Sequence, residues 1–279
     1  MFESIDKVLL ITDMDGTFLP ASKIPGEKSL AAVDKLMAAG GKFSIATGRS
    51  LQASQQYFDR VRVNCPIIMC NGGMVYDLHE KKQIYDVYLP ESAREITRRI
   101  LADNPEVGCE CLPIEGVYVP QMTDMERAHC GICKVTPHIC KVDEIPRNWY
   151  KVLFAQTEER LHEIIDYAEE NIKADHPEID FVVSAPVYYE MLPMNISKGS
   201  ALKEMRRACN MEDYTIVAVG DYNNDIEMLE AADVGVCPSN AVPDVKAAAN
   251  VCLKQSCEED AIAAAVEFIF EQVENAKRG

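Results

Sequence analysis

No stretch of the sequence approaches the run of about 18 apolar residues that a membrane-spanning helix requires, and there is no internal repeat or low-complexity segment. Those absences exclude helical membrane proteins and solenoids. Positive charge is scarce: 28 Lys and Arg face 45 Asp and Glu, for a formal net charge of −17. A surface this acidic repels nucleic acid and anionic membrane, so neither is expected as a partner. Any anionic substrate then needs local positive charge from Lys, Arg, a helix N-terminus or a metal ion. An export signal is missing too. The first residues carry Glu3 and Asp6 and run directly into an apolar strand, which is not a signal-peptide pattern, so the expected location is cytoplasmic. Eleven cysteines are scattered and odd in number, which disfavours a disulfide framework and leaves most of them as small buried hydrophobes. What is present is a 48% hydrophobic chain of 279 residues, enough for one large domain or two smaller ones. Whether it is a monomer or a homodimer leaves no mark on the sequence.

Along the chain the first 84 residues alternate. A short apolar run at Val8–Ile11 reads as a strand buried on both faces. A helix over 27–39 follows, with Leu30, Val33, Leu36 and Met37 on one face and Gly40-Gly41 as its stop. Then come a strand at 42–46, a helix at 51–58 and a strand at 66–70. The same rhythm returns near the C-terminus: helix 199–209, strand 215–219, helix 225–232, strand 234–237, strand 251–253 and a closing helix at 258–273. Such alternation predicts βαβ units on a parallel sheet. The middle, 85–187, mixes helices at 91–102 and around Leu161–Ile172 with strand-like runs near 107–111, 116–119, 151–155, Phe181 and Tyr188. The expectation is an α/β doubly wound core, residues 1–84 and 188–279, carrying an inserted α+β domain at 85–187.

Four short motifs fall at the C-terminal ends of expected core strands or at the helix start beside them, the edge where open α/β sheets bind ligands. They are Asp13-Met14-Asp15-Gly16-Thr17, Ala46-Thr47-Gly48-Arg49, Ser197-Lys198-Gly199, and Gly220-Asp221-Tyr222-Asn223-Asn224-Asp225. Each has an ordinary reading as a turn or cap. Asp13 and Asp15, however, lie at i and i+2 where a strand ends, so their carboxylates point to the same side. Two like charges that close are costly unless a cation or shared proton relieves them.

In their order and placement, these motifs resemble those of the haloacid dehalogenase-like superfamily, and within it the Cof-like phosphatases of class IIB. The resemblance covers the whole chain and includes the Asn71-Gly72-Gly73 turn and the length of the insertion. It implies a Rossmann-like core, an inserted cap that sets specificity, and Mg2+-dependent hydrolysis of small phosphomonoesters through an aspartyl-phosphate. On that resemblance Asp13 is the nucleophile and Asp15 the general acid and base. Asp13, the backbone carbonyl of Asp15 and Asp221 would hold Mg2+. Thr47 and Lys198 would bind phosphoryl oxygens, helped by loop amides at Met14, with Gly48, Arg49, Asn71 and Asn224 as further phosphate or substrate contacts. Asp225 would orient the metal shell. The acid at Asp15 sets phosphoryl transfer apart from dehalogenation.

The expected substrate is a small phosphorylated metabolite such as a sugar phosphate, pyridoxal phosphate or a nucleotide or flavin monophosphate. Two alternatives stand beside hydrolysis: a phosphomutase of the phosphomannomutase type, and a non-catalytic binding protein on the same scaffold. Within 85–187, Tyr118, His129, Tyr188 and Tyr189 either line a cavity or pack. The segment from His129 to Cys140 holds Cys130-x-x-Cys133 and His138-x-Cys140, with Cys109 and Cys111 upstream. That spacing suits a soft metal ion, or equally a segment rich in buried thiols.

Overall fold

A computed structural model describes residues 2–278. The chain forms two compact units. The first comprises Met1–Gly48, Tyr57–Tyr85 and Ser197–Gly279, and the second Arg49–Gln56 and Asp86–Ile196.

The first unit is built on a five-stranded parallel sheet in the order Val251–Cys252, Val234–Cys237, Thr215–Val219, Val8–Thr12, Lys42–Ile45. Leu9, Ile11, Ile216 and Ala218 share a core cluster with Leu202, Met205, Met228 and Leu229 from two helices. The alternate residues Val8, Leu10 and Val217 point to the other face and are just as buried. A parallel sheet covered on both faces explains why these strands read as continuous apolar runs. Beyond Lys42–Ile45, a parallel bridge from Ala46 to Ile68 leads to Ile67–Met69, which pairs antiparallel with Met74–Asp77; Lys82–Asp86 completes that three-stranded sheet. Sequence patterning does not announce this small sheet, because Lys82–Asp86 is a half-exposed, charged edge without apolar alternation. The six-residue helix Pro243–Ala248, with proline in its first turn, is likewise too short to show a period.

The second unit is a six-stranded sheet in the order Ile179–Ala185, Tyr188–Pro193, Trp149–Ala155, Gly108–Pro113, Tyr118–Gln121, His138–Ile139. Composition puts its boundary at 187, but Tyr188–Pro193 pairs with strands on both sides, so the unit runs on to Ile196. It also takes in Arg49–Gln56, which composition assigns to the core. The expected helix 51–58 is one α-turn, Leu51–Ser54, continued by a 3-10 turn at Gln55–Tyr57. Cys109, Cys111, Val152, Phe154, Tyr189 and Met191 join Ile96, Ile100, Ile164 and Ala168 in one apolar cluster. Tyr189 therefore packs, stacked on Phe181. The opposite sheet face carries a row of different character, Glu110, Leu153 and Glu190 in register. Glu190 is ion-paired with buried Lys151 at 2.7 Å.

Candidate active site

The site belongs to the first unit. Strand Val8–Thr12 ends at Asp13, whose amide donates to Val219 O at 2.8 Å and so fixes the residue beside the neighbouring strand. The chain then folds back: Leu19 N–H donates to Met14 O, and Gly16 N–H donates to Leu19 O. Gly16 has φ +89°, and a Cβ there would lie 2.5 Å from Asp221 Oδ2. Glycine thus serves twice, for the turn and for the approach of the Asp221 carboxylate. Gly16→Ala is expected to destabilise the protein by about 1–3 kcal/mol, the usual cost of a forced backbone conformation. Gly131→Ala, at an exposed helical position with nothing within 4 Å of the added methyl, should stabilise by about 0.5–1 kcal/mol. Urea unfolding of the two variants checks both signs.

Lys198 is the first residue of helix Lys198–Ala208, and Ser197 caps that helix by accepting the amide of Ser200. The lysine is 1% exposed, and its Nζ donates to Asp13 Oδ1 at 2.5 Å and to Asp225 Oδ1 at 2.7 Å. The other oxygen of Asp225 accepts the amides of Asp221 and Tyr222 at 2.9 and 3.1 Å. Both oxygens of Asp225 are therefore engaged in holding Lys198 and the loop after strand Thr215–Val219. Asp221 is held by Thr17 Oγ1, 2.5 Å away, from the turn that follows strand Val8–Thr12. Thr47 sits where its amide meets Ile68 O and its carbonyl accepts the amide of Asn71. Asn71, at φ 56°, in turn accepts a hydrogen bond from Asn224 Nδ2 at 3.1 Å. A Cβ on Gly48 would lie 2.8 Å from Asn71 Oδ1. Met14 contributes a buried side chain.

Two residues enter that sequence reasoning missed. Lys23, at φ 58°, pairs with Asp15 Oδ1 at 2.7 Å. Thr17 fixes Asp221; its place directly after Asp15-Gly16 was the available signal. Arg49 belongs to the second unit, where it donates to Ala53 O and lies 3.9 Å from Cys133 Sγ.

Electrostatically the site is overloaded with acid. Burial pushes the Asp13 carboxyl well above the usual range, with Lys198 opposing and Asp225, Asp221 and Asp15 adding to the rise. Asp221 is raised to about 6, chiefly by burial against the restraint of Thr17. Burial acts to lower the Lys198 ammonium, but Asp13 and Asp225 hold it above the ordinary lysine value. Four carboxylates thus meet the ammonium groups of two lysines, Lys198 and Lys23. Oxygens of Asp13, Asp221 and Asp225 lie within 4.8 Å of one another. With both oxygens of Asp225 engaged, Asp13 and Asp221 remain as hard oxygen donors where acid outweighs base. That donor set fits a small divalent cation such as Mg2+.

A family model for haloacid dehalogenase-like hydrolases matches residues 10–266. Phosphatase YwpJ of Bacillus subtilis strain 168 is 26% identical over 280 residues, covering 87% of this chain and 93% of that protein. The 5-amino-6-(5-phospho-D-ribitylamino)uracil phosphatase YitU of the same strain is 24% identical over 270 residues, covering 91% and 94%. Among solved structures, the subclass IIB sugar phosphatase BT4131 superposes with a TM-score of 0.80 at 22% identity, over 94% of this chain and 98% of that one.

Proposed function

The chain belongs to the haloacid dehalogenase-like hydrolases, and from that premise we propose that it is a Mg2+-dependent phosphatase acting on small phosphomonoesters through an aspartyl-phosphate at Asp13. The observation that carries the reading is the buried lysine. Lys198 bridges Asp13 and Asp225, and its ammonium opposes the burial and the neighbouring acids that raise the Asp13 carboxyl. Carboxylate attack on phosphorus requires that anion.

In this reading Asp13 Oδ attacks phosphorus as the ester P–O bond breaks, and Asp15 gives its proton to the departing oxygen. Asp15, now a carboxylate beside Lys23, then takes a proton from water. The water oxygen bonds to phosphorus, the Asp13–phosphoryl bond breaks, and phosphate leaves. Lys198, Thr47, the amide of Met14 and the Asn71–Asn224 pair present donors to the phosphoryl oxygens. Mg2+, held by Asp13, Asp221 and the backbone carbonyl of Asp15, would supply the positive charge that lets an anionic substrate approach these acids.

A small phosphorylated substrate is supported by the naming of YitU for a phosphoribitylamino compound. Choice among such substrates we assign to the second unit, by analogy with the family's inserted caps. EDTA should abolish turnover and Mg2+ restore it. Ca2+ should inhibit, because its looser coordination lets Asp13 bind through both oxygens and lose its line of attack. Full activity in EDTA would remove the metal from the mechanism. Incubation with a hexose bisphosphate separates hydrolysis from the mutase alternative, since only hydrolysis releases inorganic phosphate.

A further inference from the structure

A second group of metal-ligating side chains lies wholly within the second unit, in register with nothing the phosphatase chemistry uses. Helix Asp124–Cys133 places Glu126, His129, Cys130 and Cys133 on one face, at the spacing i, i+3, i+4, i+7. The helix packs at strand Gly108–Pro113, where Gly108 admits it: a Cβ there would lie 2.8 Å from Glu126 Cβ. Glu110, from the polar face of that strand, meets the helix. Donor atoms of Glu110, Glu126 and Cys130 all lie within 4.8 Å of one another. All three residues are buried, at 4%, 0% and 5% exposure.

Two carboxylates and a thiol in so dry a place need an explanation. Cys130 Sγ lies 3.3 Å from Glu126 Oε1. The other oxygen, Glu126 Oε2, has no hydrogen-bond partner among the described residues. A buried carboxylate oxygen without a donor is costly to fold. His129 Nε2 lies 3.7 Å from both Glu110 Oε1 and Cys133 Sγ, and its ring meets Tyr188 edge-on at 4.7 Å.

We propose that Glu110, Glu126 and Cys130 bind a zinc ion that pins helix Asp124–Cys133 to the sheet of the second unit, with His129 orienting Glu110. Two donors on a tetrahedral zinc, at about 2.0–2.3 Å from the metal, lie roughly 3.3–3.8 Å apart, so a spacing of at most 4.8 Å has to contract by no more than about 1.0–1.5 Å. A mixed thiolate and carboxylate set suits zinc rather than Mg2+, which takes oxygen ligands alone. On binding, the Cys130 proton passes to solvent and the thiolate ligates. The pattern read from sequence is corrected here: His138, stacked on Tyr118, and Cys140 join no such donor group among the described residues, and two acids take their place.

The test uses the full chain, stripped with EDTA, then titrated with Co2+ in excess Mg2+ so that the carboxylates of the phosphatase site are occupied. Cobalt on a thiolate gives a near-ultraviolet charge-transfer band that an all-oxygen site cannot produce. One equivalent should raise the band, and Zn2+ should abolish it. Cys130→Ser should lose the band and Cys133→Ser should keep it. Glu126→Gln, which preserves shape, should remain folded by circular dichroism and bind Zn2+ more than tenfold more weakly. A wild-type protein without the band, a band that survives Cys130→Ser, or unchanged Zn2+ affinity in Glu126→Gln would each overturn the assignment.

Discussion

With nitrophenyl phosphate, the Asp15→Asn variant should release a burst of nitrophenolate close to one equivalent per enzyme and then turn over slowly. Loss of general acid–base help costs about 100- to 10,000-fold, but the two steps feel the loss differently. Nitrophenolate is a weak base and leaves without a proton, so Asp13 still takes the phosphoryl group. Hydrolysis of the aspartyl-phosphate then stalls, because the substituted amide cannot accept a proton from water. With a sugar phosphate, whose alkoxide leaves poorly, the first step is slow as well and the burst disappears. Asp13→Asn should show neither burst nor turnover on any substrate. Lys23 adds a further check: pairing with Asp15 at 2.7 Å, it sits within reach of the carboxylate formed by proton release. Its loss should slow turnover far less than the loss of Asp15, since the pair is about one-third exposed and weakly coupled. A stopped-flow trace on the Asp15→Asn variant decides the matter; a variant that binds ester yet shows no burst contradicts these roles.

Lys198→Met should be the most destabilising single change in the first unit. It replaces a 1%-exposed ammonium and leaves Asp13 and Asp225 buried without their shared partner. Breaking a buried pair from one side costs about 3–5 kcal/mol, and turnover should vanish because Asp13 loses the ammonium that opposes its protonation. Adding Asp225→Asn should return part of the stability. The new amide can keep its oxygen on the amides of Asp221 and Tyr222, where Asp225 Oδ2 now sits, and it carries no charge. Activity should not return, since the lysine is still absent. Urea unfolding of the two single variants and the double variant gives the coupling directly. Additive losses would mean that Lys198 and Asp225 do not act as a pair.

The core was legible because a parallel sheet covered on both faces writes itself as apolar runs, and because Val8–Thr12 and Thr215–Val219 each end in acid-bearing motifs. Spacing alone placed Asp13, Asp221 and Asp225 on one sheet edge, and the structure brings their oxygens together. The partners that complete the site were less visible. Lys23 reaches Asp15 only because its backbone takes a left-handed turn, and no periodicity announces that. Helix Asp124–Cys133 escaped because the face it buries is Glu126, Cys130 and Cys133 rather than a stripe of leucines, so hydrophobic periodicity was silent and only the cysteine spacing drew notice. The limit of the second unit was set at 187, just short of the run near Tyr188, because pattern does not give a strand its partners; the pairing of Tyr188–Pro193 with Trp149–Ala155 and Ile179–Ala185 shows where it belongs.

In the proposed reaction Asp13 carries the phosphoryl group. Acid quenching of the Asp15→Asn variant during its burst, followed by peptide mass spectrometry, tests it most directly. One phosphoryl group per chain is expected on the peptide that spans strand Val8–Thr12, with fragmentation placing it on Asp13 and not on the substituted residue two positions later. A burst accompanied by phosphate on any other residue, or by an unmodified chain, would contradict it.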